Sequence, residues 1–330
     1  MTMISDQIAA LPDGLAIQCA RMTMRLLVDT QLPEYKGAML RGGFGYAFQR
    51  ISCPPRCWKL EGGCELAQLC PFRWIFATPR PPGIEQLHDL QDIPRPFVIM
   101  PPTDGRSNYA AGDALEFGLT LIGRAIDYLP FFIQSFEELG KMGLGRMHAQ
   151  ARLERVEVLR PWQPTGVVVY QDGRVLNTAE ALPAYDNATL IARAMQLPAD
   201  LRLTLRTPLR LKARGDILRH LDLPALIQAI CWRLHTLSIF HGHGPWELNH
   251  RALAAEASSI RIEQQQLHWL DLRRTSTRGP QPETMPQGGL LGSAMLRDVP
   301  PHVRAILLSG GLVHVGKACT FGHGSVSVEE

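Results

Sequence analysis

The clearest alternation of apolar and polar positions runs over LRLTLRTPLRLK, residues 201–212. Leu201, Leu203, Leu205, Leu209 and Leu211 fall on odd positions, and Arg202, Thr204, Arg206, Arg210 and Lys212 on even ones. A period of two places alternate side chains on opposite faces of a sheet. The segment therefore predicts a strand with one apolar face and one cationic face. Helical spacing takes over in PALIQAICWRLHTLSIF (224–240), where Leu226, Ile230, Leu234 and Leu237 recur and Pro224 sits in the first turn. A strand near 258–271, a hairpin through 284–296, a short helix near 301–309 and a final strand complete this half.

The N-terminal half has the same rhythm. A strand near 15–28 precedes a helix near 36–50 and an irregular stretch rich in cysteine and proline. A strand near 114–123, a helix near 127–140 and a strand near 150–160 follow. The second helix rests on apolar residues at 129, 132, 133, 136 and 139, and Gly140, Gly143 and Gly145 end it. Each half approximates β-α-β-β-α-β, so the predicted class is α+β, with two ferredoxin-like domains in tandem. The boundaries read as 1–160, with a cysteine-rich insertion at about 51–75, and 201–330. The stretch 161–200, with PWQP, a QDGR turn and LPAYDN, reads as a connector with a hairpin of its own.

Composition adds bounds. A chain of 330 residues has room for two cores. Its 45% apolar and 20% charged residues are those of a globular protein. No apolar run approaches the length of a membrane span, and MTMISDQIAALPDG lacks the basic and apolar regions of a signal peptide. The expectation is a cytoplasmic protein with no membrane partner. Net charge is only +3, but 29 of the 34 basic residues are arginine. A GC-rich genome explains that bias as well as phosphate recognition does, so position has to decide. Between 201 and 220 six basic residues face one acid, Asp216. A solvated sheet face usually mixes signs, and this one points to a polyanion.

The tail, HVGKACTFGHG (314–324), holds Gly316, Gly322 and Gly324 just before the last strand. Successive N–H groups in such a loop can line an anion-binding concavity, with Lys317 as the adjacent cation. Plain turn glycines are the alternative. A nucleotide P-loop is disfavoured, because no GxxxxGK[ST] is present.

The residues HVG-KACTF-GHG resemble the glycine-rich loop of the RAMP superfamily of CRISPR proteins, with His314 in place of its first glycine. YKGAMLRGGFGYAF (35–48) and GLGRMHAQARL (143–153) resemble parts of the first domain of the endoribonucleases that cut precursor CRISPR RNA. TPLRLK (207–212), LDLRRTSTR (270–278) and GGLLGSAML (288–296) resemble parts of the second. The order is kept over nearly all the chain.

The resemblance implies cleavage within CRISPR repeat RNA by attack of a ribose 2′-hydroxyl. The products are a 2′,3′-cyclic phosphate and a 5′-hydroxyl, and no cofactor is needed for catalysis. It makes Arg41, Arg146, His148, Arg202, Arg206, Arg210, Lys212, Arg273, Arg274, Gly316, Gly322 and Gly324 candidate RNA contacts. His314, His323, Lys317, Tyr35 and Lys36 are candidate catalytic groups. Many relatives place a catalytic histidine after the first helix, but here none lies between Met1 and His88. His148, His241 and His243 stay open as further bases. The partners implied are repeat RNA and its processed product, with other subunits of a CRISPR effector complex. A non-catalytic subunit that holds CRISPR RNA is the rival reading. A polymerase-like relative is disfavoured, because paired metal-holding aspartates are missing.

Cys53, Cys57, Cys64 and Cys70 follow a C-x3-C-x6-C-x5-C spacing. Four thiolates in loop-like sequence suit a tetrahedral structural zinc, with reduced thiols as the even alternative.

Overall fold

The strand that opens the N-terminal half, β1 (Ile17–Leu26), buries most of its side chains because it lies inside a sheet rather than at its edge. The structure is a computed structural model, which describes residues 8–53, 70–76, 78, 80, 87, 90, 93–176, 181–213, 215–276 and 283–330. After β1 come β2 (Thr30–Gln31), α1 (Gly37–Ser52), α2 (Pro71–Phe76), β3 (Phe97–Met100), β4 (Asn108–Tyr109) and β5 (Ala114–Ile122). The half closes with α3 (Leu129–Met142), β6 (Ala151–Leu159), β7 (Gly166–Gln171) and β8 (Arg174–Val175). The antiparallel sheet has the order β3-β5-β1-β6-β7-β8. Its first four strands, with α1 and α3, make the ferredoxin-like β-α-β-β-α-β unit.

Phenylalanines hold that unit together. Phe44 of α1 stacks on Phe132 and Phe136 of α3, with ring centroids 4.9 and 5.1 Å apart, and meets Phe97 of β3 edge-on at 5.4 Å. Strand β3 has no counterpart in the sequence reading. It is four residues between prolines, too short to show a period, yet Phe97, Val98 and Ile99 are fully buried.

The C-terminal half runs α4 (Asn187–Gln196), β9 (Leu201–Leu209), β10 (Lys212–Ala213), β11 (Asp216–Ile217), α5 (Leu223–His241), α6 (His250–Ala257) and β12 (Arg261–Leu270). Then come β13 (Arg273–Ser276), β14 (Glu283–Pro286), β15 (Gly289–Arg297), α7 (Pro301–Val313) and β16 (Val326–Glu329). Its sheet, in the order β12-β15-β9-β16, is again ferredoxin-like. Helix α5 has the length and apolar content of a membrane span. Those residues are this unit's core: Leu226, Ile227, Ile230, Leu234 and Leu237 are all fully buried. The expected hairpin through 284–296 takes a different form. Strand β14 turns back on β13, while β15 pairs with β12 and β9.

The boundaries also shift. One compact unit contains residues 17–184 and 240–242, and the other contains the chain before 17 together with 185–239 and 243–330. The second half of the expected connector is therefore part of the C-terminal unit. Its helix α4 is capped by Asp186, which accepts from Thr189 N at 2.7 Å, and packs on α7. The N-terminal segment belongs here too. Asn187 Oδ1 accepts from the N–H groups of Ala10 (2.8 Å) and Leu11 (3.1 Å), and Ser309 Oγ donates to the Ala10 carbonyl at 2.7 Å.

Candidate nucleic-acid interface

Strand β9 keeps its alternation as far as Arg206: the leucines are buried, Arg202 and Thr204 are half-buried and Arg206 is exposed. The pairing with β15 then slips. Leu205 faces Gly292 but Leu209 faces Leu290, so four residues of β9 span two of β15. Thr207, Pro208 and Leu209 are all buried in that irregular stretch. Pro208 has no N–H to give, and the carbonyls around it are left without strand partners.

The glycine-rich loop supplies those partners. Lys317 N donates to the Arg210 carbonyl (3.0 Å), Gly324 N to Pro208 (3.1 Å), and Thr207 Oγ1 to the Gly322 carbonyl (2.7 Å). Gly322 N bonds Cys319 O at 2.8 Å. The expected phosphate cradle is thus corrected, since the N–H groups of Lys317, Gly322 and Gly324 point into the protein. The glycines answer to close approach. A Cβ on Gly316 would lie 2.5 Å from the Arg210 carbonyl oxygen, and one on Gly324 would lie 1.8 Å from that of Val315. Both have positive φ, +88° and +70°. His314 takes φ 57°, the left-handed conformation that a glycine adopts without cost.

Neither loop histidine reaches solvent. His314 is 2% and His323 is 1% exposed. His314 Nδ1 is 2.9 Å from the His323 carbonyl oxygen. Burial pulls the pKa of each imidazole down to about 4, against the small upward pull of backbone hydrogen bonds. Their assignment as catalytic groups is corrected on that ground, because both are interior, neutral and engaged in holding the loop. Lys317 keeps an exposed side chain.

Around the Arg210 end of β9 the structure gathers several cations. Arg210 Nη1 donates to the Pro286 carbonyl (2.8 Å), and Pro286 pairs with the exposed Arg273. Lys212 is exposed on β10, and Lys317 joins through its backbone. Arg274 follows Arg273 on β13, with its side chain outside the described residues. Arg219, which the sequence reading did not single out, lies with its guanidinium 4.7 Å over the ring of Trp269. The far end of β9 differs, because Glu329 sits opposite Arg202 and Glu263 holds Arg297 at 3.0 Å.

The N-terminal candidates are placed otherwise. Lys36 is fully buried, its ammonium donating to the carbonyls of Glu34 and Arg106 and 5.5 Å from the Tyr109 ring centroid. Burial lowers its pKa, and burial pushes the half-buried Tyr35 hydroxyl up. Arg41 is 7% exposed, with its guanidinium over the rings of Phe76 (4.8 Å) and Phe97 (5.7 Å). Burial in the fold corrects the catalytic role expected of Lys36 and the RNA contact expected of Arg41, whereas Tyr35 is only half-buried. Arg146 and His148 are exposed on the turn closed by the Leu144–Ala149 bridge. His241 is buried, with Nε2 at 2.7 Å from the Pro94 carbonyl oxygen, and His243 is exposed. Of the cysteines, Cys53 caps α1 and Cys70 precedes α2. Cys57 and Cys64 lie outside the described residues, so the expected zinc group falls largely there.

Pairing separates the two sheets. On the N-terminal sheet Arg21 and Arg155 lie 3.5 and 3.6 Å from Glu157, Arg25 lies 2.6 Å from Glu154, and Arg152 lies 2.7 Å from Asp172. Arg202, Arg206, Arg210, Lys212, Arg273 and Lys317 make no ion pair with any described residue. Paired charges are already satisfied, whereas unpaired ones attract phosphate. The fold defines an α+β protein of tandem ferredoxin-like domains, whose C-terminal sheet ends in cations without acidic partners among the described residues.

The comparisons narrow the class. Residues 15–182 match a family model described as the AF_1859_N N-terminal domain, and residues 203–326 match that of the CRISPR-associated endoribonuclease Cas6. The chain belongs to the CRISPR-associated RNA-processing endoribonuclease family. It is similar to an uncharacterized protein of Archaeoglobus fulgidus, 25% identical over 315 residues that cover 94% of this chain and 97% of that one. Among solved structures, a chain of a partial Cas6-RT-Cas1–Cas2 complex aligns with a TM-score of 0.58 and 16% identity, over 97% of this chain and 47% of that one. This chain thus spans about half of that chain's length. A Cas6 product complex from Thermus thermophilus aligns with a TM-score of 0.54 and 16% identity, over 95% of this chain and 99% of that one.

Proposed function

We propose that the protein cuts precursor CRISPR RNA within its repeats, without a metal in the reaction, and retains the product. The observation that carries this is the set of cations left unpaired at the Arg210 end of β9, beside the glycine-rich loop. A ribose 2′-hydroxyl attacks the adjacent phosphorus and expels the 5′-oxygen, leaving a 2′,3′-cyclic phosphate and a 5′-hydroxyl. The chain's part in such a reaction is to align the 2′-oxygen with the scissile bond, supply cations for the phosphorane and move two protons. Alignment and charge stabilisation contribute the most to lowering the barrier.

Arg206, Lys212 and Lys317 offer exposed cationic heads for the phosphates. Arg210 is held by the Pro286 carbonyl and presents a more fixed guanidinium. The Cas6 product complex among the similar structures supports RNA as the partner, and the Cas6-RT-Cas1–Cas2 complex supports further CRISPR proteins beside it.

The test is incubation with RNA of the repeat in EDTA, followed by analysis of the ends. A product with a 5′-hydroxyl and a cyclic phosphate is expected. Tight binding with no product makes the protein a non-catalytic CRISPR RNA-binding subunit instead.

A further inference from the structure

Cleavage by a 2′-hydroxyl needs a proton acceptor, and with His314, His323 and His241 buried that group must come from elsewhere. Imidazole is the side chain best suited to proton transfer near neutral pH. His302 is committed to Glu256. The remaining question is which histidine shares a surface with the unpaired arginines.

Strand register answers it. On β15, Leu290, Ala294 and Leu296 are buried, so Leu291, Ser293 and Met295 face the other way, onto the open side of the sheet. Across β15, Met295 pairs with Arg202 and Ser293 with Thr204 on one side. On the other side Met295 pairs with Glu263, Ser293 with Gln266 and Leu291 with His268. Directly paired residues share a face. His268 therefore stands on the open face with Arg202, Thr204 and Arg206. It lies two strand spacings from β9, roughly 10 Å. It is exposed and makes no hydrogen bond with a described residue. The nearest acid along its own strand on that face, Glu263, is held by Arg297.

We propose that His268 is the residue that transfers the proton in RNA cleavage on this face, an inference that rests on the endoribonuclease reading above. Its unprotonated ring nitrogen takes the proton of the 2′-hydroxyl as the 2′-oxygen forms its bond to phosphorus. The bond from phosphorus to the 5′-oxygen breaks, and the 5′-oxygen takes a proton from water. The imidazolium then returns its proton to solvent, so no further reactant is consumed. Arg206, unpaired on the same face, is placed to hold the non-bridging oxygens.

The experiment is single-turnover cleavage of repeat RNA at saturating protein. His268→Ala should slow cleavage roughly 100-fold or more. Affinity for a repeat carrying a 2′-deoxy at the scissile position should stay within about twofold, since the phosphate contacts are untouched. Added imidazole should restore part of the rate to His268→Ala, and the acidic limb of the wild-type pH–rate profile, where the base becomes protonated, should vanish in the variant. A purely structural role would move neither of these last two readouts. Unchanged melting temperature checks the fold, and Glu116→Ala, on an exposed position of the N-terminal sheet, serves as the control. Wild-type cleavage with an equally fast His268→Ala overturns the assignment of His268 alone. A wild-type protein that binds repeat RNA and never cuts it overturns the endoribonuclease reading and this inference together.

Discussion

At the scale of single residues, the glycine-rich loop teaches the most. Its spacing marked it as special in the sequence, but spacing does not say what a backbone approaches. Gly316 meets the Arg210 carbonyl, Gly324 meets that of Val315, and the two histidines are folded inside. Gly324→Ala should therefore destabilise the protein by roughly 2–5 kcal/mol, from a strained φ and an overpacked contact, as read by denaturant unfolding. Gly316→Val should likewise lower stability, and should not act on RNA affinity alone. The buried imidazoles add a pH signature. Each has a folded pKa near 4, below the ordinary value of 6.5. The unfolded chain thus binds protons between these values while the folded one does not. Stability is full above pH 6.5 and falls as the pH drops toward 4. Melting temperatures between about pH 6.5 and 5 should show that fall, and His323→Gln, which cannot take up the proton, should blunt it. Lys317 is different, since only its backbone is committed. Lys317→Ala should cost on the order of 1–3 kcal/mol in RNA binding or in the cleavage step, with little change in melting.

At the scale of elements, alternation was legible wherever a strand is regular. Leu201 to Arg206 carry the pattern in plain view, and the helices α1, α3 and α5 announce themselves by their buried apolar residues. Bulges hide from a count by twos. In β12, Glu263 faces Met295 and Gln266 faces Ser293, with one extra residue between them and Gln264 at φ 45°. Counting by twos from Ile262 puts His268 toward the core, but the bulge turns it to the open face. The irregular end of β9 hid the docking of the loop in the same way. The unpaired cations make the element-scale prediction. Arg206→Ala with Lys212→Ala should flatten the slope of log affinity against log salt by roughly 1.4–1.8 units. The pair Arg21→Ala and Arg155→Ala, whose partner is Glu157, should leave that slope unchanged.

At the scale of the whole molecule, two β-α-β-β-α-β units could be counted from the order of patterns, but not their true extents. Residues 8–16 carry no period, and the helix α4 is short and half polar. Their place in the C-terminal unit rests on a few hydrogen bonds, those of Asn187 with Ala10 and Leu11 and of Ser309 with Ala10. Asn187→Ala leaves two backbone donors of buried residues without a partner and should cost about 1–3 kcal/mol of stability. The central claim is that repeat RNA lies on the C-terminal sheet at the Arg210 end of β9. Photo-crosslinking of a non-cleavable repeat RNA, with the attached peptides mapped by mass spectrometry, tests it most directly. Crosslinks within residues 201–219, 266–273 and 314–318 are predicted. Crosslinks confined to the ion-paired face of β1 and β6 would contradict it.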